Sequence, residues 1–150
     1  MIKHLLDTID VDVRMTQFIP FLTYEGDNPA YNFLPQEVIQ EIEHLELNKE
    51  LSFALIKVPS LELVGYIILI EENYNHRQKG IKIHSIGYAN EEIFNHIVRF
   101  AKDNLALRFN GDRENKYDYI WGYEYKDFTY LAENFNIDYQ NNIFISELQR

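Results

Sequence analysis

The stretch Ile81–Leu107 constrains this chain more than any other, because it changes from strand chemistry to helix chemistry across one short turn. Ile81-Lys82-Ile83-His84-Ser85-Ile86-Gly87-Tyr88 has the β-branched density and length of a strand, punctuated by Gly87. Beyond the turn, Ile93, Ile97, Ala101 and Leu105 fall on one helical stripe, widened by Phe94, Val98 and Phe100 or Leu107. Asn90 can cap this helix, and Glu91 and Glu92 suit the positive end of its dipole. Lys102 and Arg108 lie toward the negative end. A strand feeding a helix N-terminus binds an anion when the turn offers free backbone N–H groups, usually through glycines. Here the turn Tyr88-Ala89-Asn90-Glu91-Glu92 has no glycine after Gly87 and carries two carboxylates. A phosphate would meet like charge there, which argues against a conventional phosphate loop.

Upstream, Leu51–Val58 and Leu61–Glu71 predict a hairpin turned at Pro59-Ser60, since Pro59 cannot continue a ladder. The continuous apolar arms suit strands buried on both faces. With Ile81–Tyr88 they make three neighbouring antiparallel strands. A helix is expected over Pro35–Leu47, with Pro35 at its first position. Its apolar side is Val38, Ile39, Ile42 and Leu45, and its acidic side reads as a solvated face. Before the turn Glu25-Gly26-Asp27-Asn28-Pro29, the signal is mixed. Ile9, Val11, Val13 and Met15 alternate as in a strand, while Leu5, Leu6, Ile9 and Val13 fit a helical stripe. Met15–Leu22 fits a helix interrupted at Pro20.

Downstream of the long helix, a polar loop covers Phe109–Lys116. In Tyr117–Tyr125 a period of two puts Tyr117, Tyr119, Trp121, Tyr123 and Tyr125 on one face. That face is either an aromatic wall for a ligand or a surface packed beneath other elements. A short helix is expected over Asp127–Asn134 and a terminal strand over Asn142–Leu148. Edge pairing of that strand would make a homodimer.

The 150 residues suit one domain, spanning residues 1–150, with a real core. The chain lacks cysteine, which removes disulfides and thiolate zinc sites and fits a reducing cytoplasm. No signal peptide is visible, and the run Leu63–Ile70 is too short to span a bilayer. The formal charge of −10 argues against direct binding of nucleic acid or an anionic membrane. The same charge suits solubility, a basic protein partner, or imitation of nucleic acid. The five histidines show no H-x-x-x-H or H-E-x-x-H spacing, so no metal site is expected. Walker, Rossmann and G-x-S-x-G motifs are likewise missing.

The element order resembles the GNAT family, the Gcn5-related N-acetyltransferases, from about Pro35 onward. Phe53–Ile70, with Val64-Gly65-Tyr66 opening its second arm, resembles the family's second and third strands. Ile81–Tyr88 would be the fourth strand and Glu91–Leu107 the long helix. Thr129-Tyr130-Leu131-Ala132-Glu133-Asn134-Phe135 resembles the late tyrosine segment, with Asn134 and Phe135 where the family has Gly-Phe. The resemblance implies an α/β (α+β) fold with a mixed, mostly antiparallel sheet flanked by helices. It also implies an N-acyltransferase that moves an acetyl group from acetyl-CoA to a small-molecule or protein amine. In the family, a Gln/Arg-x-x-Gly-x-Gly/Ala loop after the fourth strand wraps the pyrophosphate. Tyr88–Glu92 is too short for that loop and lacks its glycines. Arg77-Gln78-Lys79-Gly80-Ile81 looks locally like it but precedes a strand.

By the same resemblance, acetyl-CoA would lie along Ile86, Gly87, Tyr88, Ala89 and Asn90, and Tyr130 would be the acid that protonates the leaving thiolate. His84 lies mid-strand beside the expected acyl site, and a pKa near 6.5 suits a base. Glu71 and Glu72 are weaker base candidates at a strand end. An acidic surface favours a cationic acceptor. The alternatives are a GNAT-fold binding module without cofactor, and an acidic protein that binds a basic partner or mimics nucleic acid.

Overall fold

A computed structural model describes residues 2–4, 11–22, 29–75, 78–107, 117–124 and 131–148, with residues 2–4, 106 and 107 as backbone. The central meander follows from its apolar runs. β3 (Phe53–Lys57) and β4 (Glu62–Glu71) form the expected hairpin, and β5 (Gly80–Tyr88) pairs antiparallel with β4. Val64–Leu69 of β4 is buried throughout, as befits a strand covered on both faces. α2 (Glu91–Leu107) covers one face, its Ile93, Ile97, Ala101 and Leu105 packed in one core with Leu55, Val64, Ile67, Ile83 and Ile86. α1 (Gln36–Ile42) covers the other, where Val38 and Ile42 join Phe21, Ala54, Tyr66 and Ile68. Each fully buried Val, Leu or Ile among these contributes roughly 1.5–3 kcal/mol relative to exposure. The contact between α2 and the sheet is close at Gly65, where a Cβ would overlap the Ile97 side chain.

Beyond β5 the sheet continues with β6 (Tyr119–Tyr123), β8 (Ile143–Glu147) and β7 (Asn136–Asp138). On the far side of β3 lies β2 (Thr16–Pro20), so the order is β2-β3-β4-β5-β6-β8-β7. Off this path, β1 (Ile2–His4) pairs with β5. The β1–β5 and β5–β6 pairs are parallel, and the rest are antiparallel.

Several elements differ from the sequence reading. The stretch Met15–Leu22 is not a helix but holds β2, which pairs with β3 from Thr16↔Lys57 to Pro20↔Phe53. Phe18 decides it by stacking on Phe100 of α2 at 3.7 Å and meeting Phe53 edge-on at 4.7 Å. Pro20 is tolerated because β2 is an edge strand. α1 stops at Ile42 instead of running to Leu47, and Pro35 is its N-cap instead of its first residue. The chain turns away so that Leu47 can bridge to Ile70 and the Asn48 N–H can donate to the Leu69 carbonyl at 2.7 Å. The terminal strand β8 is flanked by β6 along its length and by β7 over Ile143–Ile145. Of Asp127–Asn134, the described part is a 3-10 turn at Leu131–Glu133.

The turn before α2 forms as expected. Asn90 Oδ1 accepts from the Ile93 N–H at 2.8 Å, which is N-cap geometry. Replacing Asn90 with alanine should lower stability by about 1 kcal/mol, read as a shifted urea midpoint at unchanged slope.

Candidate functional site at the fork beside strand β5

β4 runs along one edge of β5, and two short ladders share the other. β6 pairs over Gly80–Lys82, and β1 pairs over Ile86–Tyr88. Ile83, His84 and Ser85 lie between them. The fork has a local cause. Leu69 pairs with Ile83 and Ile68 with Ser85, so His84 is the extra residue of a β-bulge. Bulges bend a strand and raise its twist, which carries β5 away from β6. A second bulge, at Val64 of β4, frees that carbonyl to accept the Ala89 N–H at 2.9 Å.

His84 is half-buried. Burial holds its imidazole below the ordinary histidine range, and the Lys82 charge adds to this, while Glu41 and Glu72 pull the other way. At neutral pH the ring is uncharged and can accept a proton. The carboxylates place His84 on the α1 side of the sheet, beside the exposed acidic face of that helix. Lys82 bridges to Glu72 at 3.1 Å and sits over the rings of Trp121 and Tyr123, at 5.4 and 5.1 Å. Glu71 bridges to Lys79 at 3.4 Å. Both carboxylates expected as weaker bases therefore have cationic partners. The hydroxyl of buried Ser85 has no hydrogen-bond partner among the described residues.

The aromatic wall divides. Tyr119 and Trp121 share a buried cluster with Ile143, whereas Tyr117 precedes the strand and packs in the α2-side core. The Tyr119 hydroxyl accepts the N–H groups of Tyr74 and Asn75 at 2.6 and 3.2 Å, and Trp121 Nε1 donates to the Glu72 carbonyl at 2.8 Å. The Tyr119 and Trp121 part of this wall is thus covered by residues 72–75 of its own chain and is a packed surface, while Tyr125 lies outside the described residues. Only Tyr123 is substantially exposed among its strand members.

Tyr66 was not singled out for chemistry by the sequence. It is fully buried on the α1 side, and burial, then the Glu41 and Glu37 carboxylates, push its hydroxyl up to about 12. It stays protonated at any working pH. Its ring lies against Gly87, where a Cβ would overlap it, which explains the glycine. The signal in the sequence was the Gly65-Tyr66 pair opposite Gly87-Tyr88. Tyr130 lies outside the described residues. A cavity of about 340 Å³ at the end of β4, lined by Leu45, Glu46, Leu47, Asn48, Ile70 and Glu71, includes neither His84 nor the β5–α2 turn.

The residues expected to hold acetyl-CoA fit it in one half. The backbone of Ile86–Tyr88 can pair an extended chain, as β1 demonstrates. At the turn, two N–H groups are engaged and two carboxylates oppose an anion. The Ala89 N–H is bonded to Val64, the Ile93 N–H to the Asn90 cap, and Glu91 and Glu92 stand exposed at the helix start. No helix among the described residues is long and apolar enough to cross a membrane. The described residues hold no metal-ligand cluster.

Comparison with solved structures settles the architecture. A mutant of the toxin AtaT, solved with the C-terminus of the antitoxin AtaR and acetyl-CoA, superposes with a TM-score of 0.50. Identity is 10%, over 96% of this chain and 90% of that one. The chain has a GNAT-like fold. The C-terminal condensation domain of Ebony, solved with beta-alanyl-dopamine, gives a TM-score of 0.48 at 9% identity, over 88% of this chain and 98% of that one. No family model matches the sequence, and no curated protein matches it.

Proposed function

We propose that this chain is a divergent N-acyltransferase of GNAT-like fold that acetylates a cationic amine, carried on a small molecule or a protein, with acetyl-CoA as donor. One observation carries the reading. A neutral, half-buried His84 sits on the bulge at the fork of β5, in the field of Glu41 and Glu72. An amine acceptor must lose a proton to react, and a neutral imidazole takes it in the ordinary pH range. Carboxylates around the approach raise the local concentration of a cation. The buried Ser85 hydroxyl in the same interval gains a partner when a polar group enters. Acetyl-CoA supplies the activated acyl group, and the chain contributes orientation and proton handling. Tyr130 keeps the role of acid that the resemblance gives it. Tyr66, protonated and on the His84 side of the sheet, is the described candidate for the same role.

The second reading is a binding module of the same fold that has no cofactor. It is favoured by the turn, where the Ala89 and Ile93 N–H groups are already bonded and two carboxylates stand at the helix start. Calorimetric titration with acetyl-CoA and with free CoA decides between them. Micromolar binding of acetyl-CoA is expected for the enzyme, followed by acetylation in a screen of polyamines and lysine peptides. No heat at millimolar donor would replace the enzyme with the binding module. That AtaT was solved with an antitoxin segment supports looking for a protein partner in either case.

A further inference from the structure

The ladder at Ile86–Tyr88 is made by the chain itself. β1 pairs Ile2 with Ile86, Lys3 with Gly87 and His4 with Tyr88, in parallel, along the stretch where the donor is expected to lie. β6 leaves β5 after Lys82, so without β1 this length of edge would present unpaired backbone groups. The backbone is therefore an acceptor for any extended chain, and its present occupant is a segment of three residues. So short a ladder makes few bonds against the entropy of ordering the segment, which keeps its hold weak. The β4–β5 ladder, in contrast, runs from Gly65 to Glu71 on the opposite edge and is covered on both faces.

We propose that the Ile86–Tyr88 edge is a strand-acceptor site which the chain fills with its own segment Ile2–His4, and that the acyl donor binds there only by displacing that segment. The identity of the donor rests on the acyltransferase reading, whereas the exchange at the edge does not. While β1 is seated, the chain is closed to an extended ligand. The apparent donor affinity is then the intrinsic one reduced by the fraction of molecules with the edge open. Whatever stabilises β1 lowers activity, and whatever captures it raises activity.

The test uses the full chain with Lys3→Pro and His4→Pro together. Alternate N–H groups of a strand point to opposite sides, so one of the two prolines must remove a donor facing β5. The double variant should bind acetyl-CoA about tenfold or more tightly than the parent, as expected when an occupying state is removed. It should also bind a synthetic peptide of residues 1–8, which the parent excludes. In the unmodified chain, saturating acetyl-CoA should raise deuterium exchange at residues 2–4, a readout that needs no variant. Equal donor affinity in both proteins, with no change in exchange at residues 2–4, would overturn the competition and leave the acyltransferase reading standing. Failure of both proteins to bind donor, with the peptide bound only by the double variant, would end acetyl-CoA as the ligand and keep the acceptor site. A double variant that binds neither probe would overturn the site.

Discussion

Replacing Trp121 with alanine should destabilise the chain by about 3–5 kcal/mol, the usual effect of truncating a fully buried tryptophan. Trp121 is 2% exposed and holds three things at once. Its ring fills the cluster with Tyr119 and Ile143. Its Nε1–H ties down the Glu72 carbonyl at 2.8 Å. Its face supports the Lys82 ammonium at 5.4 Å, next to the Lys82–Glu72 bridge. Trp121→Phe keeps most of the volume and loses the hydrogen bond, so it should retain more than half of the stability lost by alanine. Urea unfolding monitored by circular dichroism gives both numbers. Equal losses in the two variants would mean that the tie to Glu72, and not the filled volume, is what matters.

His84→Gln should reduce the proposed acetylation by about 10²–10⁴-fold, the range for a positioned general base. The pH profile makes the result specific. Burial and Lys82 hold the His84 pKa below its ordinary value near 6.5. The proton-accepting form therefore accumulates as pH rises through that lowered value, and kcat/KM should climb on this limb and level off by neutrality. The variant should lose the limb, not merely the height of the plateau. Stability carries the same sign. The folded chain holds a proton on His84 less readily than the unfolded chain does. Its contribution is complete above pH about 6.5 and declines as pH falls through the folded value. His96 is shifted downward as well, by burial and then Arg99, and adds to the same slope. A thermal midpoint that is flat between pH 5 and 7 in the parent would contradict both assignments.

What was legible in the sequence was what local chemistry decides. The β3–β4 hairpin, β5 and α2 come from uninterrupted apolar runs, a helical stripe and an N-cap, and each lies where those signals put it. Elements set by distant partners were not legible. Met15–Leu22 reads locally as a helix interrupted at Pro20, and the stack of Phe18 on Phe100 selects the strand β2 instead. β1 and β7 are three residues each, too short for periodicity to mark them. β8 was found, but its place inside the sheet depends on β7. The same division runs through the site. The bulge that puts His84 at a fork, and the Tyr66 ring seated on Gly87, are visible only once β4 and β5 are in register.

The β1–β5 ladder also has a consequence in time. Ile2 pairs with Ile86, so the segment emerges from the ribosome 84 residues ahead of its partner. At ordinary synthesis rates of about 5–20 residues per second, it waits roughly 4–17 s with no strand to join. The β3–β4–β5 meander closes over much shorter separations and can assemble as it appears, since local pairings form before distant ones. β5 is thus completed with its outer edge bare, and the nascent chain passes through an interval in which any extended molecule nearby, including the same segment of a neighbouring nascent chain, can reach that edge before Ile2–His4 returns to it.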